Sequence, residues 1–417
     1  MHPALTIVIA ALVMCAGMTA LYFSVALIRI RRALTSVPLA VEGVAMARKM
    51  DALPSVCVIV PAHDEARVIE RVAQSLLKVD YPDWRAVFAL DRCTDDTRAI
   101  IERVTQGDAR IEILEIESCP DDWAGKTNAL RTAVEQSAHA KGAERLLFLD
   151  ADTEIHPDCI HAAVGLMHTR NLDLVSFLST LSREHWFERI VQPMAVLELL
   201  REHPLDRVNR KERPSSFANG QFLLFNHERY VALGGHERVK DDLLEDIAFA
   251  RALKVDGGRW GVFIAGEMLH CRMYGDWQAF RRGWKRIFIE STHKRPKRLR
   301  RYARQMRVVY SALPVLSVVA IAVGCVAVAT TGAAAGWMAC ILGAFAVALW
   351  FAANVIVSLS QGATFFSALV SPVGAWLLGG ILREAAEDLE QNRGVSWGGR
   401  VYTNLMDQSD EAPPQRV

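Results

Sequence analysis

The sequence has no Cys-x-x-Cys pair and no zinc-like grouping of cysteine and histidine. Its eight cysteines stand singly at 15, 57, 93, 119, 159, 271, 325 and 340. That excludes a disulfide framework and a thiolate metal centre, and scattered thiols fit a reducing cytoplasm for the polar part. Net charge is also missing: 48 Lys and Arg balance 47 Asp and Glu to give +1, so the whole-chain charge names no partner. No internal repeat is present, and no low-complexity tract beyond alanine-rich apolar runs. Gly125-Lys126-Thr127 invites a P-loop, but the loop's first glycine is lacking, because Pro120 stands in its place. The strand that should precede such a loop is also too far upstream. A P-loop NTPase is excluded.

What the chain does have is apolar sequence, 51% of its residues, unevenly distributed. Residues 5–28 are almost wholly apolar and uncharged, long enough for a bilayer, which takes about 20 residues. No Lys or Arg precedes this run and no small-residue cleavage site follows, which favours an anchor over a signal peptide. Arg29, Arg31 and Arg32 follow it, so positive charge puts Met1 outside and residues 33–308 in the cytoplasm. Further apolar runs cover 309–329, 336–359 and 363–382. Pro372 and Gly374 interrupt the last, which either spans or re-enters. The expected organisation is an anchor at 1–32, a cytoplasmic domain at 50–300, transmembrane segments within 309–382 and a polar tail at 383–417. The expected location is the inner cell membrane, with several crossings.

Between the apolar ends, strand-like runs alternate with helical ones. Strands are expected at 56–60, 86–90, 111–116 and 146–149, with helices after the first two and over 126–140. Such alternation means an α/β fold, a mostly parallel sheet with helices on both faces. Three of the four strands end in acids: Asp64 and Glu65, Asp91, and Asp150 with Asp152. Ligands of open α/β sheets bind beyond the carboxyl ends of the strands. Two carboxylates one residue apart favour a hard cation between them, and a metal-bridged diphosphate is the natural occupant. The bland alternative is a solvated turn containing two Asp. Lys126 either reaches a phosphate or merely starts a helix. Glu245-Asp246 reads by itself as dipole complementarity at a helix start. Residues 188–200 form a core helix or one lying in the membrane interface. The aromatic and basic run 277–301 leads into apolar segments, so a juxtamembrane surface beside anionic lipid explains it better than nucleic-acid binding.

Taken together, these residues resemble the membrane-bound family-two glycosyltransferases of the GT-A fold. Pro61-Ala-His-Asp64-Glu65 is similar to that family's Pro-Ala-x-Asn/Asp-Glu. Asp91-Arg-Cys-Thr-Asp95-Asp96-Thr97 is similar to its Asp-x-Ser/Cys-x-Asp-x-Thr. Gly125-Lys-Thr-Asn-Ala-Leu130, Asp150-Ala-Asp152, Gly220-Gln-Phe-Leu-Leu-Phe225, Glu245-Asp246 and Trp397-Gly-Gly-Arg-Val-Tyr402 follow in the family's order. The resemblance implies that Glu65 and Asp91 hold the base and ribose of a nucleotide, with Asp64, Lys126, Asp150 and Gly220 also toward substrate. It implies that Asp152 with Asp150 binds Mn²⁺ or Mg²⁺, and that Asp246, beside Glu245, is the catalytic base. The partners implied are a nucleotide-diphosphate sugar, expected to be uridine-linked, a hydroxyl of a membrane lipid and the bilayer, with no nucleic acid. One sugar would be transferred with inversion, as in glycosyltransferases of hopanoid, carotenoid or ceramide-type lipids.

One departure separates the chain from processive members. Their Gln/Arg-x-x-Arg-Trp element has its nearest counterpart in Arg281-Arg282-Gly283-Trp284, with Gly283 where Arg is expected. Trp284 is expected on the acceptor side. The competing readings are a processive polysaccharide synthase and a catalytically idle scaffold that binds sugar nucleotide or lipid. Every expected acid is present, which counts against the idle scaffold.

Overall fold

The computed structural model describes residues 3–210, 216–240, 242, 244–393, 395–397 and 400–402. The described chain forms two units. One comprises Thr35–Ser182 with His203–Met273; the other comprises Met1–Leu34, Arg183–Glu202 and Tyr274–Val417. The expected block 50–300 is therefore shared between them.

The first unit is built on seven strands: β1 Val56–Ala62, β2 Trp84–Asp91, β3 Ile111–Ile116, β4 Arg145–Leu149, β5 Leu174–Leu178, β6 Phe222–Asn226 and β7 Trp260–Ile264. Their order across the sheet is β3-β2-β1-β4-β6-β5-β7. β6 alone runs antiparallel to its neighbours β4 and β5; β1 is parallel to β2 and β4, and β5 to β7. The strand-like runs become strands because both faces are covered. All seven residues of β1 are buried. Val56, Val58 and Val60 join a core with Ile69, Val72 and Leu76 of the following helix. The other face is covered by the helix Gly125–Gln136, which contacts β1 and β2. Leu146, Leu147, Phe148 and Leu149 are each at most 2% exposed, and burying each such side chain contributes about 1.5–3 kcal/mol. That burial fixes where β4 ends, and so where Asp150 begins.

Two local details seat the sheet. The helix Glu42–Ala47 crosses the helix Cys159–Arg170 at backbone contact. A Cβ at Gly43 would fall 1.9 Å from the Ala162 carbonyl oxygen, so only glycine fits there. A second, three-stranded sheet of Thr153–Ile155, Leu269–Cys271 and Thr180–Leu181 lies past the end of β4. Its register sets Cys271 opposite Thr153, next to Asp152.

Among the described residues three helices are long and apolar enough to cross a membrane: Pro3–Ser36, all but its final two residues in the second unit, and Pro296–Thr331 and Ala334–Ser360, wholly within it. The last two approach closely through small residues, as membrane helices do: a Cβ on Gly324 would lie 2.7 Å from the Gly336 carbonyl oxygen. The run 363–382 is not one helix. It divides into Phe365–Leu369 and Ser371–Glu390, because Pro372 suits a helix's first turn but not its interior. The second piece continues past 383, where ion pairs hold it: Arg281 with Glu384, and Lys285 with Glu384 and Asp388. The run 188–200 is likewise divided, at Val191, into Trp186–Ile190 and Gln192–Glu202. Of the tail motif, Val395–Trp397 and Arg400–Tyr402 pair as antiparallel strands. Gly398, Gly399, residues 403–417 and the expected external Met1 lie outside the described residues.

Candidate active site

β4 ends in a tight turn in which the Thr153 amide and hydroxyl donate to the Asp150 carbonyl at 3.3 and 2.6 Å. Register between β4 and β6 sets Leu149 opposite Phe222, and the Asp150 amide donates to the Gln221 carbonyl at 3.2 Å. Gly220 is thereby brought to the end of β4. Its amide donates to Asp246 Oδ2 at 2.6 Å, and the Ile247 amide donates to Asp246 Oδ1 at 2.7 Å. Glu245 and Asp246 open the helix Glu245–Val255, where acids are favoured. Lys126, second residue of the helix Gly125–Gln136, joins the two acidic pairs. Its Nζ lies 2.7 Å from Asp150 Oδ1 and 2.6 Å from Glu245 Oε1.

The electrostatics of this cluster follow from burial. Asp246 is 9% exposed. Burial first, and Glu245 beside it, push its carboxyl up to about 7, while Lys126 and the two amides pull against that. Burial and Asp150 raise Asp152 to about 7. Burial, then Asp152 and Asp150, raise Glu65 to about 8, so Glu65 faces the same acids. Burial opposes the charge on Lys126, but Asp150 and Glu245 outweigh it and hold the ammonium protonated.

The other expected residues are placed as follows. Asp91 is buried at the end of β2 and clamped by Arg92, whose Nε and Nη2 donate to Oδ1 and Oδ2 at 2.9 and 2.7 Å. A Cβ on Gly125 would stand 3.0 Å from Asp91 Oδ2, so that helix starts against Asp91. Asp64, at φ 55°, accepts from the Thr94 amide at 2.7 Å and the Asp95 amide at 3.2 Å. It ties the loop after β1 to the loop after β2. Trp284 belongs to the other unit. It is 2% exposed between Phe280 and Phe288, and its Nε1 has no hydrogen-bond partner among the described residues. Gly283 is packed by Tyr274: a Cβ would lie 2.1 Å from the Tyr274 hydroxyl, so any larger residue there requires Tyr274 to move.

Sequence reasoning missed a supporting chain. Ser179 donates to Gln221 Oε1, Gln221 Nε2 donates to Cys271 Sγ at 3.0 Å, and the Cys271 thiol bonds the Asp152 carboxylate. Asn219 adds Nδ2 bonds to the Phe177 carbonyl and Gln221 at 2.9 and 3.1 Å. The adjacency of Asn219 and Gln221 to Gly220 was the available signal. A lone cysteine 119 residues from Asp152 offered none.

Among the described residues no three of His, Cys, Asp and Glu are grouped to enclose a metal ion. The acids nevertheless fit one. Asp152 Oδ1 is buried without a hydrogen-bond partner among the described residues, Asp150 stands beside it, and both offer hard oxygen. Mg²⁺-type ions are held in this way, by one or two carboxylates completed by substrate phosphates.

A mostly parallel sheet with acids gathered at the carboxyl end of its strands has them where open α/β sheets bind ligands. Residues 57–228 match the family model for glycosyl transferase family 2, and residues 146–353 that for glycosyl transferase family group 2. Residues 57–228 thus carry a family-2 glycosyltransferase domain. It is similar to 4,4'-diaponeurosporenoate glycosyltransferase of Staphylococcus aureus (strain MRSA252), with 23% identity over 233 residues. That match covers 54% of this chain and 59% of the relative, so the chain spans somewhat over half the length of the curated relatives it matches. Among solved structures it is similar to the mannosyltransferase PcManGT from Pyrobaculum calidifontis in complex with GDP-Man and Mn²⁺. That likeness has 18% identity, covers 93% of this chain and 99% of that one, and has a TM-score of 0.48. It is also similar to glucosyl-3-phosphoglycerate synthase from Mycobacterium tuberculosis, with 16% identity, 62% and 80% coverage and a TM-score of 0.37.

Proposed function

We propose that the protein transfers one sugar from a nucleoside-diphosphate sugar to a hydroxyl of a membrane lipid, with inversion at the sugar carbon. The observation that supports this best is the join of two acidic pairs through Lys126 at the carboxyl edge of the sheet. Asp150 and Asp152 would hold a divalent cation, Mn²⁺ or Mg²⁺, which when bound draws charge from the departing diphosphate. Glu65 and Asp91 would hold the nucleoside, expected to be uridine, with Asp64 bracing their loops. Asp246 would act as general base. Two backbone amides orient it, and a pKa near 7 suits proton abstraction at neutral pH. The acceptor O–H proton passes to Asp246, the oxygen forms its bond to the anomeric carbon, and the bond from that carbon to the diphosphate oxygen breaks. Its electron pair leaves with the nucleoside diphosphate.

The lipid acceptor is supported by the three apolar helices and by the similarity to 4,4'-diaponeurosporenoate glycosyltransferase. Transfer of a single sugar is supported by Gly283, which stands packed by Tyr274 where the processive pattern has an arginine. Arginines after residue 28 and along 295–301 favour a cytoplasmic catalytic unit. The test is incubation of membranes containing the protein with a panel of labelled nucleotide sugars, followed by analysis of the lipid extract. One labelled lipid bearing one sugar is expected. A polymer, or no transfer from any donor, would overturn the reading.

A further inference from the structure

Lys126 touches acids that, under the glycosyl-transfer reading, have different tasks. Asp150 ends β4 on the diphosphate side, and Glu245 opens the helix that carries the base. Both contacts are close, at 2.7 and 2.6 Å. The side chains are 17% exposed for Lys126, 27% for Asp150 and 6% for Glu245, so water only partly screens the cluster. The site therefore already contains a cation where a metal ligand stands. A divalent ion arriving alone would meet Asp152 with its buried, unpartnered Oδ1, but also the positive charge of Lys126 against Asp150. Two like charges at such distance disfavour each other strongly when screening is weak. A diphosphate reverses the balance, because its oxygens supply both metal ligands and an acceptor for the ammonium. Lysine suits that exchange, having three donors on a flexible four-carbon stem.

We propose that Lys126 is the resident counter-ion of the donor site, bridging Asp150 and Glu245 until a nucleoside diphosphate draws its ammonium away, so that metal and nucleotide bind as a coupled pair. This rests on the glycosyl-transfer reading and adds an order of binding to it. Lys126 is here a positioning residue.

The test is Mn²⁺ binding followed by electron paramagnetic resonance, using the full chain in detergent with and without each of several nucleoside diphosphates. Wild type should bind Mn²⁺ weakly alone and at least about tenfold more tightly with its cognate nucleotide. Lys126→Met should bind Mn²⁺ alone at least about tenfold more tightly than wild type, with little further gain from nucleotide. Lys126→Arg should retain the coupling, and Lys126→Gln serves if the methionine variant fails to fold. Unchanged or weaker Mn²⁺ binding by the uncharged variants overturns the proposal. So does a wild type that binds Mn²⁺ equally well with and without nucleotide, a result that needs no variant. A wild type that binds Mn²⁺ under no condition overturns the glycosyl-transfer reading together with this one. Normal Mn²⁺–nucleotide binding with unchanged variants overturns this one alone.

Discussion

Gly220→Ala adds one methyl group against the acidic pair Glu245 and Asp246. The new Cβ would lie 3.1 Å from Asp246 Oδ2, 3.3 Å from Glu245 Oε1 and 3.4 Å from Asp246 Cγ. These carboxylates must yield by a few tenths of an ångström, and neither is free to do so. Asp246 is held by amides at 2.6 and 2.7 Å, and Glu245 by Lys126 at 2.6 Å. Overpacking costs about 1–3 kcal/mol. The required shift is small, so a cost near the lower figure is expected. The effect on rate should be larger, since a misplacement of about 1 Å can cost roughly 10²-fold and a few tenths should cost on the order of tenfold. The assay pairs initial rates of sugar transfer with thermal unfolding of the detergent-solubilised protein. The expected result is kcat lowered about tenfold with donor KM nearly unchanged and only a small loss of stability. Wild-type kcat in a folded Gly220→Ala protein would refute the placement of the reacting atoms beside Asp246.

Three further outcomes are expected. Asp246 must be ionised to accept a proton, and its pKa is raised to about 7, so kcat should rise with pH and level off above 7, with an acidic limb near that value in the pH–rate profile. A limb near 4, or none, would contradict the role. The same raised acids, Asp246, Asp152 and Glu65, make the folded state bind more protons than the unfolded chain. Their contribution favours the fold fully below about pH 4 and is lost as pH rises through 7 to 8, so ligand-free Tm should fall over that window; a Tm that rises there would contradict it. Finally, a cysteine introduced near Asp108 should be protected from a membrane-impermeant thiol reagent in intact cells, and labelling from outside would reverse the proposed orientation.

Much of this fold was legible because burial on two faces leaves a plain mark in sequence. The strand expected at 111–116 is Ile111–Ile116, and that expected at 146–149 is Arg145–Leu149. Helix interruptions were harder to read, since they turn on single side chains. The helix expected over 126–140 stops at Gln136 because Ser137 leaves the helical backbone and accepts from the amides of His139 and Ala140. The apolar run 363–382 looks continuous by composition, yet Pro372 starts a new helix in it. The contacts within the site belong to tertiary structure. Lys126, Asp150 and Glu245 stand out separately in the sequence, but the meeting of Lys126 with Glu245 joins residues 119 positions apart. The burial that raises Asp246 comes from the packed surroundings and leaves no trace in local spacing.

The central claim is that Asp246 performs chemistry, beyond stabilising a helix start. Asp246→Asn preserves shape and removes the proton acceptor. As a dipole-complementing acid alone, Asp246 would contribute only about 0.3–1 kcal/mol to stability, and Asn is itself favoured at helix starts. Turnover and nucleotide-sugar affinity should be measured side by side on Asp246→Asn and Asp91→Asn. Loss of a general base costs about 10²–10⁴-fold in rate, so Asp246→Asn should lose turnover by that factor and keep its nucleotide affinity. Asp91→Asn should weaken nucleotide binding and leave the base in place. An Asp246→Asn protein that glycosylates lipid at near wild-type rate would contradict the account.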